Sequence, residues 1–135
     1  MVETAQIHSI FKDIFFLISR PCYDAPDQSK MVEILKANYK NVVNGKLLGI
    51  SEKIDGGNWL FGEKISWLDF IFAEMLEKII DQGKELDCVN FKECGGEEGF
   101  QIYLDRFLAL DKIREYRLSE RFSQRPYNNM TAIWR

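Results

Sequence analysis

An all-α fold is the class this sequence predicts, and three observations carry that expectation. Apolar residues recur at three- and four-residue intervals in several segments. One long apolar run, "KISWLDFIFAEMLEKI" from Lys64 to Ile79, opens on a serine with an aspartate three residues later. No segment sustains the period-two alternation of a strand.

The first helix is expected from about Glu3 to Arg20. Ile7, Ile10, Phe11, Ile14, Phe15 and Ile18 form the stripe of a helix buried on one side. Pro21 is expected to end or kink it, because proline lacks an N–H and crowds the turn before it. "YDAPDQSK" reads as a turn, and Asp27 is placed to cap the next helix. That second helix is expected from about Gln28 to Gly45 or slightly beyond. Met31, Leu35, Tyr39 and Val42 share its face, with Val32 and Val43 beside them. Asn38, Asn41 and Asn44 lower its intrinsic propensity, so packing must hold it. "DGGN" is a loop and "WLFGEK" a short extended or turn piece.

The third helix starts after Ser66. A serine hydroxyl accepts from an amide of the first turn, and Asp69 can reach back to the cap amide. Aspartate is shorter than the usual Glu or Gln there, so the bond needs close geometry. Ile65 and Phe70 occupy the two positions of a hydrophobic staple. Leu68, Phe70, Ile71, Phe72, Met75, Leu76, Ile79 and Ile80 cover most of the circumference, which predicts a central, buried helix. "DQGKELDCVNFKECGGEEG" reads as a polar, glycine-rich loop. A fourth helix follows from about Phe100, a shorter one around Lys112 to Leu118, and then an irregular tail broken by Pro126. One domain is expected over residues 1–135, with a helical core over about 3–118 and the tail over about 119–135.

The 135 residues are 46% hydrophobic and 13% aromatic, with a net charge of -3. That balance argues against a nucleic-acid binder driven by a basic surface. "DKIREYRLSERFSQR" is the one locally basic stretch weighed, and a solvated helix face is its plainer reading. Three cysteines, Cys22, Cys88 and Cys94, make an odd count without a CxxC pair, so a reducing compartment is expected, the cytoplasm by default. One histidine and three scattered cysteines are too few for a zinc site, so no metal is expected. The N-terminus lacks the features of a secretory signal, and no apolar run reaches spanning length, so no membrane insertion is expected. His8 has no evident nucleophile or carboxylate partner and is given no catalytic role. Met31 and Met75 are expected in the core, and Cys22 is expected to be an unreactive thiol in apolar surroundings.

Three motifs in order point to a family. "WLFGEKISWLDFIFAEML" carries Gly62, a short turn, and the Ser66–Asp69 cap. "FFLISRPCYDAPD" pairs Cys22 and Tyr23 ahead of an acidic, proline-containing turn. "RFSQRPYNNMTAIW" has an Arg-aromatic pair, Pro126 five residues after Arg121, and a final Ala-x-Trp. Together they resemble the C-terminal helical domain of glutathione transferases, and the mu class in particular. They span nearly the whole chain. The glycine-rich stretch near Gly95 departs from the mu pattern in being longer and lacking its usual proline.

The resemblance implies roles residue by residue. Tyr23 falls on the tyrosine that lines the electrophile pocket and donates a hydrogen bond to substrate. Asp13 falls on the acidic residue that reaches across the dimer interface toward the amino group of glutathione. Asn128 and Asn129 fall on tail positions that close the pocket. Ser66, Asp69, Ile65 and Phe70 are structural on either reading. The plainer alternatives stand beside these: a tyrosine packed at a helix end, and an exposed helix aspartate. A complete transferase also has a thioredoxin-like domain holding the catalytic group and the glutathione site, and none of its motifs occurs in these 135 residues.

Two functions are therefore expected, the first as the reading and the second as its alternative. One is a non-catalytic binding or assembly module, whose partner covers the face where the thioredoxin-like domain docks; a homodimer is possible too. The other is the electrophile-binding half of a transferase completed by such a domain, which alone brings glutathione. A small helical carrier of apolar ligands is a third and weaker option. On every reading the 135-residue chain by itself is expected not to conjugate glutathione.

Overall fold

The computed structural model describes residues 2–55, 57–123, 127 and 131–134. Asn128 and Asn129 lie outside the described residues. The described residues are arranged as α1 (Val2–Asp24), α2 (Gln28–Asn38), a π-helical turn (Tyr39–Val43), α3 (Asn44–Asp55) and α4 (Trp67–Leu86). A 3-10 turn (Phe91–Cys94), α5 (Glu97–Leu108), α6 (Asp111–Arg117) and α7 (Glu120–Ser123) follow. Among the described residues there is no strand, only an isolated bridge between Trp59 and Gly62. The fold is all-α, and α4 packs between α1 and α5.

Pro21 does not end α1, which runs on to Asp24 with the proline inside it. Proline at 21 leaves the carbonyl of Leu17, four residues back, without its helical donor. Asn38 fills that vacancy: its Nδ2 donates to the Leu17 carbonyl at 2.8 Å. A side chain from the end of α2 thus repairs the last turn of α1.

The second helix differs from expectation in length and in face. Helical structure continues through the π-helical turn into α3 as far as Asp55. The residue that continues the buried stripe is Val43, while Val42 is exposed. The spacing explains the turn. Met31, Leu35, Tyr39, Val43 and Leu47 are all fully buried or nearly so, at four-residue steps. Such a stripe drifts by about 40° per step around a 3.6-residue helix. One wider turn, in which the Asn44 N–H donates to the Tyr39 carbonyl, resets it. Asn44 itself is buried, donating to Glu93 Oε2 at 2.8 Å and accepting from the Cys94 thiol at 3.1 Å.

The turn before α4 closes as expected. The Trp59 N–H donates to the Gly62 carbonyl at 2.8 Å, and Gly62 adopts a φ of 100°. Ser66 and Asp69 form the two halves of a capping box. The well-formed bonds are those of the carboxylate. Asp69 Oδ2 accepts from the Ser66 N–H at 2.8 Å and from the Ser66 hydroxyl at 3.1 Å. Its Oδ1 accepts from the Leu60 N–H at 3.0 Å and from the Tyr103 hydroxyl at 2.7 Å. Asp69 is fully buried, and one carboxylate thus ties the turn, the head of α4 and α5 together. Burial, then the bond to Asp69, holds the Tyr103 phenol far above its ordinary range.

The circumference of α4 is less uniformly buried than its composition suggests. Leu68, Phe72, Met75, Leu76, Ile79 and Ile80 are buried, but Trp67, Phe70 and Ile65 before it are exposed. Phe70 meets Phe107 edge to face at 5.2 Å. In the core, Phe11 stacks on Phe72 at 5.3 Å, and Phe72 leans on Tyr103 at the same distance. The stretch read as a loop after Ile80 is largely ordered into helix: α4 continues to Leu86, and the 3-10 turn precedes α5. Buried Gln82 explains the extension. It accepts from the Tyr39 hydroxyl at 2.6 Å and donates to the Ile18 carbonyl at 3.0 Å, pinning the end of α4 to two other elements. Gly95 is needed after the 3-10 turn, because its φ is 98° and a Cβ there would lie 2.4 Å from Ser51 Oγ. The tail expected to be irregular from 119 contains one further helical turn, α7.

Candidate ligand groove

The first helix carries two stripes, where its sequence suggests one. Ile7, Phe11, Ile14, Ile18 and Cys22 face the core and are buried. His8, Lys12, Phe15, Phe16, Ser19 and Tyr23 face a groove of about 900 Å³ between α1 and α4. Phe15 and Phe16 are 55% and 57% exposed there. Across from them α4 presents Ile71, Met75 and Lys78, and the C-terminal segment adds Phe122 and Tyr127. Tyr23 reaches this groove only because α1 continues past Pro21, so the Asn38 bond is part of what positions it. Tyr23 is 38% exposed.

A ladder of carboxylates on α4 holds the C-terminal segment against the groove. Glu77, Asp81 and Glu85 are four residues apart and share one face. Glu77 takes both ends of the Arg117 guanidinium at 2.6 Å, a bidentate pair. That bond raises the Arg117 pKa further. Asp81 accepts from the Tyr127 hydroxyl, and Glu85 accepts from the Trp134 indole N–H at 2.6 Å. Tyr127 and Trp134 stack at 5.4 Å. The Ile133 N–H donates to the Cys22 carbonyl at 2.7 Å, which returns the end of the segment to the last turn of α1.

The sequence-derived candidates are thus separated. Tyr23 lies in the groove. Asp13 does not: it sits on the flank of α1 that faces α3, 3.6 Å from Lys46 Nζ. Ser66 and Asp69 are structural by geometry, their bonds spent within the fold. His8 lines the groove and meets Trp67 edge to face at 5.2 Å. The three cysteines are buried, and among the described residues they form no disulfide. Burial pushes Cys88 up to about 11 and Cys94 up to about 12.

Lys78 is the group that reading the sequence missed. It is 3% exposed, and its Nζ donates to Ser19 Oγ at 2.8 Å and lies 5.2 Å from the centre of the Phe15 ring. Burial pushes its amine down to about 8. A signal was present. Lys78 falls seven residues after Ile71 and three after Met75, on one helix face, and a lysine on an otherwise apolar stripe is unusual.

Residues 12–120 match the family model for the glutathione S-transferase C-terminal domain. The chain belongs to that family. It is 32% identical over 124 residues to glutathione S-transferase 2 of Gallus gallus, an alignment covering 90% of this chain and 50% of that protein. It is 31% identical over 124 residues to glutathione S-transferase Mu 2 of Homo sapiens, covering 92% and 51%. With glutathione S-transferase Mu 7 of Rattus norvegicus the identity is 32% over 118 residues, covering 87% and 49%. This glutathione S-transferase C-terminal domain is therefore mu-like, and it spans about half the length of the curated relatives it matches. Among its described residues, no helix is long and apolar enough to cross a membrane.

Proposed function

We propose that this glutathione S-transferase C-terminal domain supplies the electrophile side of a transferase active site. The groove between α1 and α4 takes the apolar substrate. Tyr23 donates a hydrogen bond to an oxygen that gains charge during addition or displacement. The glutathione side, and with it the thiolate, belongs to a thioredoxin-like domain outside these residues. The observation that carries this reading is the second stripe of α1, which turns two phenylalanines and a tyrosine outward along one groove.

The test is a titration of the isotopically labelled chain with an apolar aryl halide, followed by amide chemical shifts. The expected shifts cluster along Phe15, Phe16 and Tyr23 and across α4 at Ile71 and Met75. Phe15→Ala weakens binding by roughly 10-fold, on the order of the apolar area removed. Shifts centred elsewhere, or none, overturn the reading.

A second reading rests on the same exposed rings. Phe15 and Phe16, each more than half exposed, offer adjacent apolar surface of the kind that marks a protein-interaction site. On that reading the domain is a non-catalytic assembly module. Native mass spectrometry of the protein isolated gently from its source separates the two. A thioredoxin-like chain carrying glutathione supports the enzyme, and a larger assembly without one supports the module.

A further inference from the structure

Lysine is among the residues least often buried, and a lysine that only needs to keep its charge extends its stem and leaves the ammonium in water. Lys78 does the opposite. Its amine turns inward beneath the Phe15 ring, against the Ser19 hydroxyl, in the wall of an apolar groove. Two of the charged groups near it are engaged with others: Arg20 pairs with Asp24, and Glu77 with Arg117. His8, Lys12, Tyr23, Glu74 and Tyr127 are the remaining titratable groups lining the groove, and Cys22 lies behind it. Burial is the largest influence on the amine and favours its neutral form.

We propose that Lys78 is a nucleophilic amine that captures apolar aldehydes entering the groove as imines. The apolar walls admit an uncharged carbonyl compound without the cost of desolvating an ion. The Nζ lone pair adds to the carbonyl carbon, and the carbonyl π pair moves to oxygen. A proton passes from nitrogen to that oxygen, and the Ser19 hydroxyl at 2.8 Å is placed to relay it. The carbinolamine then loses water. Amine and aldehyde give imine and water, with no change of oxidation state. The property belongs to the same groove as the proposed electrophile site but does not depend on glutathione, and its readout differs from the binding titration.

The test uses benzaldehyde with cyanoborohydride, which reduces each imine to a stable amine, and locates the adducts by peptide mass spectrometry. Lys112, with its side chain 93% exposed, is the internal reference. Near neutral pH an amine titrating at about 8 is unprotonated roughly 200 times more often than an ordinary lysine. Lower intrinsic nucleophilicity removes part of that advantage, so Lys78 is expected to label about 10-fold faster or more. Its rate should level off above pH 8 while that of Lys112 keeps climbing. The excess should vanish in urea, and Lys78→Arg should abolish the fast adduct. Labelling of Lys78 no faster than Lys112 overturns the proposal, and so does an excess that survives unfolding. The comparison within the wild-type chain needs no variant to fold. Aryl-halide shifts in the groove without fast labelling of Lys78 reject this inference and leave the electrophile site standing.

Discussion

Asp69 and Lys78 are both buried charged side chains, and they show how differently such groups are settled. Asp69 has four donors on its two oxygens, so removing it strands two backbone amides and a phenol at once. Asp69→Ala is expected to cost about 3–5 kcal/mol in urea denaturation, and Ser66→Ala only about 1 kcal/mol. Equal costs would show that the bonds of Asp69 beyond the Ser66 hydroxyl add nothing to stability. Lys78 instead carries a penalty, because its folded pKa of about 8 lies below the ordinary 10.5. Between those two values the unfolded chain binds the extra proton, so the penalty shrinks as pH rises through that window. Cys88 and Cys94 work in the opposite direction. Their raised pKa values contribute stability below about pH 9 that is lost at higher pH. The Lys78 contribution is isolated by difference. The stability of wild type relative to Lys78→Met should increase from pH 8 to 10.5, by up to a few kcal/mol. A difference independent of pH would mean that the amine keeps its ordinary pKa.

At the scale of elements, long-range side chains correct local rules. Pro21 predicts a helix end or a kink, and an end is the sound expectation for an isolated helix. It fails because Asn38, from another helix, supplies the missing donor. Asn38→Ala should therefore cost about 1–3 kcal/mol by leaving the Leu17 carbonyl unpaired. In a Pro21→Ala background the cost should fall, because the restored N–H reaches the same carbonyl. A double-mutant cycle with no coupling would rule out this pairing. The asparagines that weaken the second helix on propensity scales thus include two that bond beyond it, Asn38 and Asn44. The π-helical turn is not part of the sequence-based expectation, although the four-residue spacing from Met31 to Leu47, which does not fit one straight α-helix, carries its signal. Val42 was placed on the buried face only because a 3.6-residue repeat was assumed throughout.

For the whole molecule, the class and the central helix were legible because both depend on periodicity and a local cap. The Ser66–Asp69 pair marks the start of α4 whatever surrounds it. The groove was legible only in part. Tyr23 was placed there by resemblance, while Phe15 was assigned to the core stripe although it faces outward. One helix with two apolar faces looks, in sequence, like one helix with a broad face. Asp13 shares α1 with Tyr23 but points at Lys46, and only the packing of α1 on its neighbours separates them. Lys78 could be recognised as misplaced on its stripe, but its contact with Ser19 spans 59 residues of sequence and needs the fold.

The return of the C-terminal segment to α1 has a consequence for synthesis. On the ribosome the chain is made in order, so the residues of α1 to α5 are joined before residues 127–134. Until then the rungs at Asp81 and Glu85 face water, the last turn of α1 lacks the Ile133 bond, and the groove lacks its Tyr127 wall. The helical bundle can be assembled while its binding site is still open on one side. Completion of the site therefore waits on the packing of the C-terminal segment against α4 and the last turn of α1.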